Sequence, residues 1–230
     1  MTAGQILIMD GAVHLACMLV ELLTADDSQL AHALNGAGPP ARRARDSFDL
    51  LIPNVIMAKM NGLGLLRRLR NEGSIPVLVL TALGDEKDQI LTLELGASDY
   101  LKPSAVGEPV ACLRVILRRS AAGRPDASPL ALGALAIDPA TMSVTLEGVP
   151  VRLTAAEFRV LEALARSAGR VQSRETMTYQ ALGRRLEPFD RSIDTHISNI
   201  RRKLCLDPGQ GIEIKSLRGR GYVLTVPRRP

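Results

Sequence analysis

Over its first 120 residues the chain alternates short apolar runs with longer stretches of helical periodicity, and few folds accommodate that rhythm. The runs "QILIMD", "FDLLIP", "IPVLVLTA" and "ASDYLK" read as strands without polar alternation, the pattern of strands buried on both faces. Between and after them, "AVHLACMLVELL", "GLGLLRRLR", "DEKDQILTLELG" and "GEPVACLRVILRRS" carry apolar residues at helical spacing. Strands alternating with helices predict a parallel sheet covered by helices on both sides, whose ligands sit beyond the carboxyl ends of the strands. One segment breaks the rhythm: "HALNGAGPPARRARDS" holds a double proline, Pro39 and Pro40, and is a poor helix.

The rhythm stops at "RSAAGRPDASP", residues 119–129, which is small, polar and rich in Pro and Gly, as linkers are. The expected division is a domain over 1–120, a linker over 121–128 and a second domain over 129–230. Charge changes at the same place. Residues 1–121 carry 12 Lys/Arg against 13 Asp/Glu, whereas 122–230 carry 17 against 11. A basic second half points to a polyanionic partner for that half alone. The three cysteines (Cys17, Cys112, Cys205) are dispersed and show no C-x-x-C spacing, which fits a reducing cytoplasm and disfavours a disulfide framework or zinc site. No apolar run reaches membrane-spanning length, so a cytoplasmic protein with no membrane partner is expected. The three histidines are scattered, no Ser/His/Asp or Cys/His grouping appears, and no glycine loop is suited to cradle phosphate; an enzyme reading has no support.

The second half opens with short strands, "LALGALAIDP", "MSVTLEG" and "VPVRLT". In "TAAEFRVLEALARSAGR", Thr154 and Glu157 form a capping box ahead of a helix ending near Gly169. Two further helices are expected in "SRETMTYQAL" and "RSIDTHISNIRRKL", then a hairpin in "IEIKSLRGRGYVLTV". Three helices followed by a basic, Gly-containing hairpin describe a winged helix-turn-helix. On the last helix, Ile193, Ile197, Ile200 and Leu204 fall within an arc of about 60° at ~100° per residue, the buried stripe. Opposite lie Arg191, Thr195, Ser198, Asn199 and Arg202, flanked by Arg201 and Ser192. Short polar side chains and arginines on one face suit a helix in a major groove, where Asn and Arg read base edges and Ser, Thr and Arg hold phosphates. Asp194 either orients an arginine or accepts from a cytosine amino group. Lys215, Ser216, Arg218 and Arg220 give the hairpin a basic tip suited to a minor groove or backbone. Double-stranded DNA is the expected partner.

With these motifs in place, the chain resembles the OmpR/PhoB-type response regulators of two-component systems over nearly its full length. "LTAAEFRVLEALARSAGRVQSRE", "FDRSIDTHISNIRRKL" and "SLRGRGYVL" carry the likeness in the second half, and "ILIMD", "DLLIPNVIMAKMNG", "PVLVLTA" and "LELGASDYLKP" carry it in the first. The resemblance implies an α/β receiver of CheY-like, flavodoxin-like type, a doubly wound five-stranded parallel sheet, joined to the winged helix-turn-helix domain. It implies a receiver aspartate that accepts a phosphoryl group with Mg²⁺ held by acids, homodimers on tandem DNA half-sites, and RNA polymerase and a sensor histidine kinase as further partners.

At the matching positions this chain departs from the pattern. The phosphoacceptor position is Asn54, whose amide cannot form an acyl phosphate. The acidic pair after "ILIM" is Asp10 followed by Gly11, so two of three metal-binding carboxylates are missing and Mg²⁺ binding is expected to be lost or very weak. Thr81 stands at the hydroxyl position and Tyr100 at the switch aromatic. Lys102 comes one residue early in "YLKP". Around the receiver's dimer face, Gln89, Ser98 and Cys112 replace charged residues, while Asp99, Glu108 and Arg118 remain. The expected function is a sequence-specific transcriptional regulator with a pseudo-receiver, acting without phosphorylation. The alternatives are a decoy that pairs with an intact regulator or its kinase, and a regulator phosphorylated elsewhere, at Ser47 or Thr81.

Overall fold

The computed structural model describes residues 5–9, 29–33, 48–53, 62–72, 75–80, 86–101, 128–205 and 211–226. The chain divides into two compact units, Met1–Ala122 and Gly123–Pro230.

In the first unit, β1 (Gln5–Met9) pairs in parallel with β2 (Gln29–Ala33) on one side and with β3 (Leu50–Pro53) on the other. β4 (Leu78–Leu80) lies parallel to β5 (Asp99–Leu101), and β3 meets the start of β4 through the parallel bridge Leu51 to Val77. The resulting order, 2-1-3-4-5, is a common doubly wound arrangement. Leu50, Leu51, Ile52, Val77, Leu78 and Val79 are buried in unbroken succession, as strands covered on both faces must be. The four strands read from the residues appear. β2 is the addition: its sequence, QLAHA, has no β-branched residue and half-enters the segment marked irregular, so only the resemblance required a fifth strand. The first and last receiver helices expected from the sequence lie outside the described residues.

Helix α1 (Gly62–Glu72) turns Leu66 and Leu69 inward, three residues apart, and leaves Arg67 and Arg68 exposed. Its Arg70 folds inward, donating from Nε to the Gly96 carbonyl and from Nη1 to the Ile75 carbonyl, both at 2.7 Å. Helix α2 (Glu86–Glu94) begins with Glu86 and Asp88 and ends before Gly96, whose φ of 101° makes it the helix stop. A β-carbon at Gly96 would lie 2.9 Å from Arg70 Cδ, so a larger residue must shift the arginine stem as well as take up a left-handed conformation.

The second unit opens with a four-stranded antiparallel sheet: β6 (Leu130–Leu132), β7 (Leu135–Asp138), β8 (Ser143–Leu146) and the two-residue β9 (Val149–Pro150). Helix α3 (Ala155–Arg166) has the expected capping box: Glu157 N–H donates to Thr154 Oγ1 and Thr154 N–H donates to Glu157 Oε2. Helix α4 (Arg174–Met177) is capped by Ser173 and widens into a π-helical turn, Thr178–Leu182. Helix α5 (Ser192–Lys203) and the hairpin β10 (Glu213–Leu217) and β11 (Gly221–Thr225) complete a winged helix-turn-helix. Phe158, Leu161, Leu164, Ile193, Ile197, Ile200, Leu204 and Leu224 share one core.

Candidate nucleic-acid interface

Two constraints fix the lie of α5. At its carboxyl end, Lys203 Nζ is 2.6 Å from Glu157 Oε2, so the buried capping-box glutamate of α3 also anchors the last turn of α5. At its start, Asp190 donates no proton but accepts from the Ser192 N–H, and it pairs with Arg184, whose Nη2 donates to Ser192 Oγ at 3.0 Å. Burial pushes the Asp190 carboxyl up, yet the Arg184 charge and the hydrogen bonds from Arg184 and Ser192 outweigh it and hold the carboxyl below its usual range.

The hairpin is fastened separately. Gln172 and Tyr222 exchange backbone hydrogen bonds of 2.8 and 2.9 Å, and the Gly169 N–H donates to the Leu224 carbonyl. Gly221, with φ of 120°, would place a β-carbon 2.0 Å from the Gln172 carbonyl oxygen; no other residue fits.

Of the residues expected on the open face of α5, Arg191, Ser198 and Arg202 are exposed. Thr195 and Asn199 correct the expectation: they are 6% and 2% exposed. The helical wheel equated polarity with exposure, but the buried arc runs beyond the apolar stripe through His196, Ser192 and Asn199. Asn199 Oδ1 accepts from Arg202 Nη2 at 2.8 Å, which bends the arginine over its neighbour. Arg201, expected on the flank, is half-buried and bonded within the unit. Its Nε donates to the Ile214 carbonyl at 3.0 Å, its Nη2 donates to Ser216 Oγ at 2.9 Å, and its guanidinium lies 5.9 Å from the Tyr222 ring centre. It is a tether between α5 and the wing. At the wing tip Lys215, Ser216, Arg218 and Arg220 are exposed, with Lys215 Nζ 3.3 Å from Glu213.

Asp194 holds two arginines: Oδ1 accepts from Arg174 Nε at 2.8 Å and Oδ2 from Arg191 Nη1 at 3.3 Å. The Tyr222 hydroxyl donates to the same Oδ1. Burial, with Asp194 beside it, pushes the Tyr222 phenol up to about 12, so the hydroxyl remains a donor at any physiological pH. Arg174 is the residue that sequence reasoning missed. Its signal was weak, one arginine after the Ser173 cap, and its partner lies 20 positions away.

In the receiver unit, Tyr100 is 3% exposed and packed in the core with Leu93, Ala97 and Val79. Asp99 and Ser98 are buried as well, and Ser98 Oγ accepts from the Val77 N–H at 3.1 Å. Asp10, Gly11, Asn54, Thr81 and Lys102 lie outside the described residues. Asp10, Asn54, Thr81 and Lys102 each follow in sequence the last residue of a described strand: β1, β3, β4 and β5.

Comparison with known proteins matches this architecture at both ends. Residues 6–111 match the family described as response regulator receiver domain, and residues 148–224 match the family of the C-terminal domain of transcriptional regulatory proteins. The transcriptional regulatory protein CpxR of Escherichia coli (strain K12) is 42% identical over 228 residues, covering 96% of this chain and 98% of that one. The chain belongs to the OmpR/PhoB-type response regulators. A CpxR homologue of Haemophilus influenzae is 36% identical over 227 residues, covering 96% of this chain and 99% of its own. Among solved structures, a mutant of RitR shares the fold at a TM-score of 0.71 and 22% identity, covering 98% of this chain and 100% of that one. This response regulator is thus a DNA-binding transcriptional regulator of the two-component type, and the family's role is regulation rather than catalysis. Among its described residues, no helix is long and apolar enough to cross a membrane.

Proposed function

We propose that this response regulator binds its operators without receiver phosphorylation. The observation that carries the reading is an asymmetry: the DNA half presents Arg191, Ser198, Arg202, Arg218 and Arg220 on a braced helix and wing, while Asn54 and Gly11 stand where the family needs carboxylates. The donor set does not fit magnesium. An octahedral Mg²⁺ bound by the protein uses carboxylates as its hard anchors, and Asp10 alone is left of three. The chain acts in the cytoplasm as a homodimer on tandem half-sites, with 1–120 as pseudo-receiver, 121–128 as linker and 129–230 as the DNA-binding domain. Ser198 and Arg202 enter the major groove, Arg191 meets phosphate at its edge, and Ser216, Arg218 and Arg220 follow the adjacent backbone. RNA polymerase is a partner of its output, and a sensor kinase is not required for it.

The test is binding to a duplex selected by the protein from a random pool, with and without Mg²⁺ and acetyl phosphate at fixed salt, alongside radiolabelled phosphate incorporation. Binding as a dimer that the phosphodonor leaves unchanged, with no label on the protein, is expected. Binding that appears only with the donor would overturn the reading and mark another residue as acceptor.

A further inference from the structure

A carboxylate in the first turn of a DNA-reading helix is at first sight a liability, because it faces a polyanion. Asp194 is only partly covered, with 22% of its side chain exposed. Yet three donors converge on it from three different elements: Arg174 of α4, Arg191 at the start of α5 and Tyr222 of β11. The Arg174 guanidinium lies 5.2 Å from the centre of the Tyr222 ring, so aromatic face and carboxylate hold the same group from two sides. Arg201 lies over that ring as well, at 5.9 Å. One negative charge thus sits among three arginines, and the cluster stays cationic.

We infer that Asp194 is a positioning residue for DNA binding: by gripping Arg174 through Nε and Arg191 through Nη1, with Tyr222 bracing it from the wing, it aims the two guanidiniums at the phosphate backbone. The chemistry of the fork supports this. A carboxylate on Nε fixes the guanidinium plane, and the Arg174 side chain keeps 34% of its surface open. Among the described residues its Nη1 makes no hydrogen bond, and its Nη2 reaches only the Tyr222 hydroxyl, at 3.5 Å. In helix-turn-helix proteins the first helix crosses the backbone while the second enters the groove, which puts Arg174 of α4 at phosphate and Arg191 at the groove edge. Tyr222 makes the wing part of the same device, so disturbance at the wing base is felt at the start of α5. The inference rests on α5 being the DNA-reading helix.

The positioning role and the liability predict opposite signs. If Asp194 only repels phosphate, Asp194→Asn tightens binding and steepens its salt dependence. If it aims arginines, the same change weakens binding and makes the dependence shallower, because fewer phosphates are neutralised in fixed geometry. The experiment measures affinity from 50 to 300 mM salt for the full chain, on a duplex that the wild type selects and on a random-sequence duplex of equal length. Asp194→Asn is expected to bind both about tenfold more weakly, with the slope of log K against log salt shallower by about 1 to 2. Its thermal midpoint should stay near that of the wild type, and the loss should largely vanish in an Arg174→Ala background. Tighter binding, no change, or loss on the selected duplex alone would overturn the inference, the last making Asp194 a base reader. A loss that persists in full in the Arg174→Ala background would overturn it too. A wild-type chain that selects no sequence would instead remove the DNA-reading assignment on which the inference rests.

Discussion

The two units handle their charged residues differently. In the receiver unit, charged side chains are seen bonding to backbone: Arg70 donates to the Gly96 and Ile75 carbonyls, Asp49 accepts from the Gln5 N–H and Asp99 from the Tyr100 N–H. The sheet itself is held by consecutive buried aliphatic residues. In the DNA-binding unit, charged pairs also link separate elements, Glu157 with Lys203 and Arg174 with Asp194, and Arg184 with Asp190 closes the loop that leads into α5. A parallel sheet needs no such ties, because each strand is buried on both faces by its neighbours and helices. A helix that must stay open on one side has only its remaining faces and its ends to be held by. Where exposure is the function, polar cross-links replace burial as the means of fixing geometry.

The sharpest way to press that comparison is a matched pair of glycine substitutions. Gly221→Ala drives a methyl into a backbone carbonyl that cannot withdraw, and should cost about 3 kcal/mol or more of the second unit's stability. Gly96→Ala meets the flexible stem of Arg70, and should cost about 1–2 kcal/mol in the first unit. Urea unfolding followed by probes in each unit checks both values, and equal costs would erase the contrast. Next in size is Arg201→Ala, which leaves the Ile214 carbonyl without its side-chain donor and should cost about 1–2 kcal/mol. Its neighbour Arg202→Ala should leave stability within about 0.5 kcal/mol while making the salt dependence of DNA binding shallower by about 1. Adjacent arginines would then divide between tether and contact. The smallest effect concerns Asp190. A folded carboxyl held below its ordinary value adds stability that is present above about pH 4 and is lost as pH falls through the folded value. Asp190→Asn should therefore lose less stability than the wild type between pH 5 and pH 2, measured by thermal midpoints.

The sequence was most legible where local chemistry decides structure. The Thr154 and Glu157 capping box, the Gly96 helix stop and the aliphatic runs of β3 and β4 are three- to eight-residue signals, and each appears in the structure. β2 was not legible, since QLAHA has neither the branching nor the apolar continuity of its neighbours and is a strand because β1 offers it an edge. Thr195 and Asn199 were misplaced because a wheel sorts residues by polarity, whereas a short polar side chain is easily buried beside its own helix. The tether role of Arg201 had no signature at all. Its acceptor is a backbone carbonyl 13 positions away, and backbone carbonyls carry no mark in the sequence. Asp194 was recognised as anomalous, but its two arginines come from different distances along the chain, and only the three-dimensional arrangement shows which ones it holds.

One consequence follows from how α5 is held. Its ends are secured by Glu157 from α3, by Asp190 from the preceding loop and by its own Asp194 reaching Arg174 of α4, and its inner face by four aliphatic residues. None of these is Ser198 or Arg202, the exposed residues at its middle and last turn. Altering those two changes what the helix meets without altering where it lies. In a lineage of duplicated regulators, such a division lets operator preference drift one residue at a time while the scaffold remains under no new strain.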